Sequence, residues 1–309
     1  MDNNINNPST CDFLTKSQNL WDKDKYVCVG LDTDIKLIPQ SLKDQIAASF
    51  DPQSEEYTAN LILSFNIAVI DATAEFACAY KPNFVFYEAE GAAGLIALQK
   101  TIAYIHEHYP EIPVISDAKR GDVGNTTEKA VQYILDHMKA DAVTLHNYLG
   151  KEATMPFLNR KDNGIILLVR TSNPGAGEFQ DLIVETPGNE PMPLYQYIAK
   201  QVATEWNFNG NCGVVVGATY PHELALVRKI IGPDMPILIP GVGGQGGSIE
   251  EVVKASLPEG SKKLHVIINS SRGIIHDVQN PRYALEFAAV AHDNAQKMNT
   301  EIISCINKL

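Results

Sequence analysis

The residues best suited to chemistry in this 309-residue chain are two carboxylates placed around one lysine, namely Asp117, Lys119 and Asp122. An apolar run leads into them and a helical pattern follows from Asn125, so we expect them where a strand ends. In an extended segment, Asp117 and Lys119 lie on the same side. Gly121 can turn the backbone without steric cost, which would bring Asp122 back toward the lysine. We therefore predict a charge cluster; an ordinary exposed salt bridge is the alternative interpretation.

The elements that must position this cluster are eight short β-rich runs that alternate with longer helical patterns. The predicted strands are 26–32, 77–81, 114–119, 142–146, 165–170, 213–217, 237–239 and 266–269. The predicted helices include 55–76, 94–108, 126–137, 194–206, 221–231, 249–257 and 281–306. Apolar strands that are each followed by a helix are typical of parallel β-structure covered on both faces.

Eight such units in about 300 residues favour a closed (β/α)8 TIM barrel over an open doubly wound sheet. The open sheet is disfavoured because no G-x-G-x-x-G motif opens a helix near the N-terminus. We expect one barrel domain over residues 1–309, with residues 1–12 as a poorly ordered N-terminal extension.

Composition narrows the class of protein. The chain is 45% apolar and 20% charged, as expected of a soluble domain with a large core. Its net charge of −12 would repel nucleic acids and anionic membranes, and its apolar runs are too short to cross a bilayer. The five cysteines are scattered, without a disulfide framework or zinc-ligand spacing, and Cys28 and Cys212 fit buried strand positions. A reducing cytoplasm fits this pattern best.

Polar residues collect at the C-terminal ends of the predicted strands, which is the end where barrels build active sites. Asp32 follows the first strand, Lys81 the second, the Asp117 cluster the third, His146 the fourth and Ser172 the fifth.

A glycine-rich loop, 241–247, follows the seventh strand, and the segment 269–273, which contains Arg272, follows the eighth. Bare backbone N–H groups that lead into a helix suit an anion, and barrels often place a phosphate site at this position. We therefore predict a phosphate site; a flexible turn and a surface arginine are the alternative interpretation.

Taken together, these motifs resemble those of the orotidine 5′-phosphate decarboxylase family, in the branch with an Asp-Ala-Lys-Arg-Gly-Asp signature. The resemblance covers nearly the whole chain. The matching motifs are Gly30-Leu31-Asp32, Lys81-Pro82-Asn83, Asp117-x-Lys119-x-x-Asp122-x-x-x-Thr126, Thr171-Ser172-Asn173-Pro174-Gly175, Val216-Gly217-Ala218-Thr219-Tyr220-Pro221, the Pro240 to Gly247 loop with Gln245, and Asn269-Ser270-Ser271-Arg272.

The resemblance implies decarboxylation of orotidine 5′-monophosphate to uridine 5′-monophosphate (UMP) and CO2, in the last step of de novo pyrimidine synthesis, without a metal or organic cofactor. It implies that Lys119 stabilises the carbanion and protonates it. Asp117, Asp122 and Lys81 would complete an alternating array with that lysine.

For binding, the resemblance implies that Asp32 contacts the ribose and Ser172 the pyrimidine, while Gln245 and Arg272 hold the phosphate. Asp122 and Thr126 would serve the neighbouring subunit's site, which makes the functional unit a homodimer with composite sites. The segment 171–192 is the candidate lid.

Three alternatives remain open. A magnesium-dependent sugar-phosphate decarboxylase or synthase would need an additional acid on the second strand, where Lys81 stands. A Schiff-base aldolase would need Lys119 uncharged, which adjacent carboxylates oppose. A non-catalytic nucleotide-binding barrel would not need the charge cluster. We interpret His146, found where relatives more often carry Asn-Pro-Tyr, as a structural residue.

Overall fold

The computed structural model of the chain describes residues 13–186, 188, 190–242, 246–258 and 263–309. Eight parallel strands form its centre. They are β1 (Val27–Leu31), β2 (Ala77–Pro82), β3 (Ile115–Arg120), β4 (Ala142–Leu145), β5 (Gly164–Arg170), β6 (Cys212–Val216), β7 (Ile237–Pro240) and β8 (Val266–Ser270). Each differs from its predicted span by no more than one residue at either end. The predicted N-terminal extension, residues 1–12, lies outside the described residues.

The strands close into a barrel. Their hydrogen-bonded order is β2-β1-β8-β7-β6-β5-β4-β3. The remaining seam, between β2 and β3, is closed by two isolated parallel bridges, Tyr80 with Val114 and Asn83 with Asp117. The predicted TIM barrel is confirmed.

Helices surround the barrel. In the described part of the chain they are α1 (Phe13–Trp21), α2 (Gln40–Ala47), α3 (Glu55–Thr73), α4 (Phe84–Glu88), α5 (Gly91–His108), α6 (Gly124–Val131), α7 (Gly150–Leu158), α8 (Gly177–Gln180), α9 (Leu194–Gln201), α10 (Pro221–Ile231), α11 (Ile249–Ser256), α12 (Arg272–Ile275) and α13 (Tyr283–Lys308). Two π-helical segments, Gln132–His137 and Val202–Trp206, continue α6 and α9. None of the described helices is long and apolar enough to cross a membrane.

Most of the strands are buried on both faces, as their continuous apolar sequences predicted. Every residue of β1, β2, β4, β6 and β8 is buried. Helix α1 packs at the N-terminal end of the barrel, where the ring of Phe13 lies against Gly164 so closely that a Cβ there would overlap it. The Lys16 ammonium forms an ion pair with Asp141 at 2.8 Å, which ties the same helix to the residue before β4.

The segment 171–192, the candidate lid, contains short elements in its described part. A 3-10 turn (Pro174–Ala176) leads into α8, and a two-stranded antiparallel ribbon joins Ile183–Val184 to Met192–Pro193. The buried Arg170 guanidinium anchors this segment, because it lies 3.0 Å from the Asp181 carboxylate.

At the N-terminal face, the buried guanidinium of Arg228 links two connections, the one between α10 and β7 and the one between α11 and β8. It donates to the carbonyls of Ser256, Gly232, Pro233, Met235 and His265. Burial lowers the pKa of Arg228 to about 10, and the Asp234 carboxylate opposes this shift. The charge is therefore held inside the protein mainly by carbonyl dipoles.

We predict that Arg228→Met lowers the free energy of unfolding by at least about 3 kcal/mol, because several buried carbonyls lose a charged donor. Urea unfolding measures this change. Arg282→Met is the matched control: Arg282 binds two carboxylates but is half exposed, and its loss should change stability little. Equal effects of the two substitutions would contradict the prediction.

Candidate active site

The centre of the site is a series of alternating charges at the C-terminal end of the barrel. The Lys81 ammonium on β2 lies 2.9 Å from Asp117 Oδ2 on β3, and the Lys119 ammonium lies 2.6 Å from Asp117 Oδ1. At the other end of the series, Lys81 lies 3.8 Å from Asp32 Oδ1, directly after β1. The order is therefore Asp32, Lys81, Asp117, Lys119.

Burial strengthens these ion pairs, because little water competes with them. Lys81 is 3% exposed and Asp117 is 8% exposed, so each charge depends on its partners for solvation. Burial opposes the charge on Lys81, but Asp117 and Asp32 outweigh it and raise the pKa of Lys81 above its usual value. Burial likewise opposes the charge on Asp117, but Lys81 and Lys119 outweigh it and hold its pKa well below its usual range. Both groups stay ionised at neutral pH.

The backbone of β3 leaves the sheet at this point. Its pairing with β4 passes from Ser116–Val143 to Arg120–Leu145, so three residues of β3 stand opposite one residue of β4. Within this excursion Lys119 has a positive φ of 44°, in the left-handed region that costs a residue with a side chain about 1 kcal/mol or more. The predicted proximity of Asp117 and Lys119 is confirmed, but the segment is kinked rather than extended.

Sequence reasoning missed Thr144, which supports the excursion from β4. Its hydroxyl donates to Asp117 Oδ1 at 2.8 Å and accepts from the Lys119 backbone N–H at 3.1 Å. One buried side chain thus fixes both the carboxylate and the kinked backbone of the lysine. A threonine in the middle of an apolar strand gave no signal of this role.

Asp122 does not close the series within its own chain. Its carboxylate accepts from the Val123 backbone N–H at 2.7 Å, and no ion pair joins it to Lys119 among the described residues. Asp122 and Thr126 are exposed, and both line an open cavity of about 580 Å³ together with Lys119. The expectation that the Gly121 turn would return Asp122 to Lys119 is therefore not met within one chain.

His146 lines the same cavity. A Cβ on Gly121 would lie 2.5 Å from His146 Nε2, so the ring occupies space that only a glycine leaves free. The His146 backbone N–H donates to the Arg120 carbonyl at 3.1 Å. These contacts support the interpretation of His146 as a packing residue for the 121–122 turn.

The predicted binding residues lie around the same end of the barrel. Ser172 is partly buried just after β5, and Gly217 lets its backbone approach, because a Cβ there would lie 2.7 Å from Ser172 Cβ. Arg272 is exposed at the first residue of α12, directly after β8. Gln245 lies outside the described residues. In the part of the chain that is described, no group of three or more His, Cys, Asp or Glu side chains is placed to hold a metal ion.

The depressed pKa of Asp117 predicts acid sensitivity. A carboxylate whose pKa is lower in the folded than in the unfolded chain stabilises the fold above about pH 4, and this contribution is lost as the pH falls below that value. We predict that Asp117→Asn lowers the free energy of unfolding at pH 7 by about 3–5 kcal/mol, because Lys81 loses its nearest buried partner. The variant should also show a flatter fall in stability between pH 5 and 3 than the wild type.

Urea unfolding at a series of pH values measures both effects. Asp162→Asn, which removes an exposed carboxylate, is the control and should keep the wild-type slope. An unchanged slope in Asp117→Asn would show that the Asp117 ion pairs do not stabilise the fold.

Comparison with known proteins agrees with the resemblance found in the sequence motifs. The profile of the family described as Orotidine 5′-phosphate decarboxylase / HUMPS family matches residues 25–287. A protein of Cellvibrio japonicus named orotidine 5′-phosphate decarboxylase is 40% identical over 288 residues, which cover 93% of this chain and 98% of that protein.

Two solved structures from Leishmania donovani are also similar. The OMP decarboxylase is 30% identical with a TM-score of 0.75, and the match covers 95% of this chain and 98% of that one. The UMP synthase is 32% identical with a TM-score of 0.78; the match covers 96% of this chain and 56% of that longer chain, so this chain spans little more than half of it. With a family profile that matches most of its length and a relative 40% identical over 93% of it, the chain belongs to the orotidine 5′-phosphate decarboxylase / HUMPS family.

Proposed function

We propose that this chain decarboxylates orotidine 5′-monophosphate to UMP and CO2, the last step of de novo pyrimidine nucleotide biosynthesis. It is a carbon–carbon lyase of the carboxy-lyase class. The observation that carries the proposal is the Lys119 ammonium, held 2.6 Å from the buried Asp117 carboxylate at the C-terminal end of a family-matched barrel.

The chemistry requires a positive charge and a proton at one place. When the bond between C6 and the carboxylate breaks, CO2 leaves and the electron pair stays on C6 in the ring plane, where the π system cannot delocalise it. Lys119 stabilises this charge and then transfers a proton from Nζ to C6. Asp117 aims the ammonium, and the buried Lys81 holds Asp117 in turn.

The same geometry weighs against the two catalytic alternatives. A Schiff-base aldolase requires a free amine as nucleophile, whereas the Lys119 amine is held in an ion pair 2.6 Å from Asp117 Oδ1. A magnesium-dependent relative would require a further acid on β2, and Lys81 occupies that position with its charge directed at Asp117. A purely nucleotide-binding barrel would not need a lysine at a backbone position of positive φ.

Binding roles are assigned around the mouth of the barrel. Asp32 contacts the ribose, Ser172 the pyrimidine edge, and Gln245 with Arg272 the phosphate. Support comes from the strand ends that carry them, since Asp32 follows β1, Ser172 follows β5 and Arg272 follows β8.

The functional unit is a homodimer in which Asp122 and Thr126 complete the partner's site. Two observations support this assignment. Both residues are exposed beside the Lys119 cavity without reaching Lys119 in their own chain. The neighbouring Val123 and Tyr148 are 55% and 89% exposed, which is apolar surface available for an interface.

The enzyme acts in the cytoplasm on a small-molecule nucleotide, without a metal or organic cofactor. Its four described cysteines are buried free thiols, which suits a reducing compartment. Its net charge of −12 disfavours nucleic acid and anionic membranes as partners.

We predict that the purified protein abolishes the orotate absorbance of orotidine 5′-monophosphate in the presence of a chelator. Lys119→Ala should lower kcat by at least about 10⁴-fold, because one group supplies both charge stabilisation and the proton. The fold should survive, since the Lys119 side chain is 48% exposed. Lys129→Ala, at the rim of the same cavity, is the matched control and should stay active.

Two results would count against these assignments. A wild-type protein that is inactive with chelator and restored by magnesium would refute metal-independent decarboxylation. A Lys119→Ala variant that keeps a tenth of wild-type turnover would refute the role of the lysine.

The composite site predicts complementation between inactive variants. In a heterodimer of Lys119→Ala and Asp122→Ala chains, one site has lost both residues and the other is native. Equal mixing with free subunit exchange gives half heterodimers, so activity should return to about a quarter of the wild-type value. Steady-state assays on the mixture, with native mass spectrometry to confirm exchange, measure this.

The control is a mixture of Lys119→Ala with the double variant Lys119→Ala, Asp122→Ala, in which no site is native. It should remain inactive. If heterodimers form from the two single variants and activity does not return, each site is built from one chain.

A further inference from the structure

One buried polar group at the mouth of the barrel has no role so far. Asn269 on β8 is 6% exposed, and its Oδ1 has no hydrogen-bond partner among the residues that the structure describes. An unpaired buried acceptor costs about 1–3 kcal/mol, so such groups mark places where a ligand or water supplies the missing donor.

The Asn269 amide packs against β1, where a glycine makes room for it. Asn269 pairs with Cys28 on β1, and its Oδ1 is 3.1 Å from where a Cβ on Gly30 would stand. The Ser271 hydroxyl fills the same space, and a side chain on Gly30 would overlap it. Gly30 pairs in turn with Lys81, so the amide reaches the level of the charge series.

The chemistry of the substrate narrows what could donate to Asn269 Oδ1, and this step rests on the proposed function. In orotidine 5′-monophosphate the phosphate, the carboxylate and the ring and ester oxygens are acceptors near neutral pH. Donors are limited to the two ribose hydroxyls and the N3–H of the pyrimidine. An unpaired acceptor therefore selects one of these three groups.

The position of Asn269 in the barrel favours a ribose hydroxyl over the pyrimidine N3–H. The residue assigned to the pyrimidine, Ser172, follows β5, which stands four strands away from β1 around the barrel. Asn269 instead adjoins β1, whose next residues lead to Asp32, the residue assigned to the ribose. Asp32 Oδ1 is itself a buried acceptor without a hydrogen bond in the described structure. Asn269 Oδ1 beside β1 and Asp32 Oδ1 directly after β1 are thus two acceptors without a hydrogen bond, and the ribose carries two hydroxyl donors.

We propose that Asn269 is a further substrate-binding residue, whose Oδ1 accepts a hydrogen bond from a ribose hydroxyl of the nucleoside monophosphate beside Asp32. The role of Gly30 follows, since its missing side chain leaves space for the Asn269 amide and the Ser271 hydroxyl.

Calorimetric titration of wild type and Asn269→Ala with UMP, 2′-deoxy-UMP and 3′-deoxy-UMP tests the proposal. Loss of one neutral hydrogen bond should weaken UMP binding about fivefold. For the deoxy analogue that lacks the bonded hydroxyl, the substitution should change affinity less than twofold, because the bond is already absent. Asn299→Ala is the matched control: this buried asparagine bonds the chain before β1, far from the site, and its loss should leave the relative affinities unchanged.

Each other result refutes the proposal. An equal loss for all three nucleotides would mean that Asn269 acts on the phosphate or on the fold. No loss for UMP would mean that Asn269 does not touch the ligand. Failure of the wild type to bind UMP at all would instead refute the proposed function.

Discussion

The structure depends on one buried ion pair, between Lys81 on β2 and Asp117 on β3. Two charges in the wall of a barrel are tolerable only because each solvates the other, and removal of either leaves a buried charge unpaired. Asp32 and Lys119 extend the pair at its two ends, so the series alternates in sign and is internally neutral. The series thus places the Lys119 side chain beside a carboxylate at the open end of the barrel without adding net charge there.

Around this pair, the barrel supplies position rather than chemistry. Thr144 fixes the excursion of β3, Gly121 accommodates His146, and Gly217 admits Ser172. At the opposite face, Arg228 and α1 bind the connections together and take no part in the site. The division agrees with the general property of such barrels that one end carries function and the other carries stability.

Much of this was predictable from the sequence, because parallel strands buried on both faces read as short apolar runs and all eight were found. The Asp117–Lys119 contact was also predictable from spacing. The left-handed backbone of Lys119 was not, since nothing local favours a positive φ at a lysine. Thr144 was missed because a strand buried on both faces has no alternation to show which side faces the site. The spacing also did not show that Asp122 stays exposed and apart from Lys119 in its own chain, because Gly121 allows more than one turn of the backbone.

The seam between β2 and β3 has a mechanical consequence. Isolated bridges, rather than a continuous ladder, close the barrel there, and the Lys81–Asp117 pair crosses that same gap. The Lys81–Asp117 ion pair therefore helps to hold β2 and β3 together at the seam where backbone pairing is sparse. Opening of this seam would separate Lys81 from Asp117, so a loss of barrel closure would also break the charge series. Closure of the barrel and the geometry of the charge series are then under a single constraint, because the Lys81–Asp117 pair belongs to both.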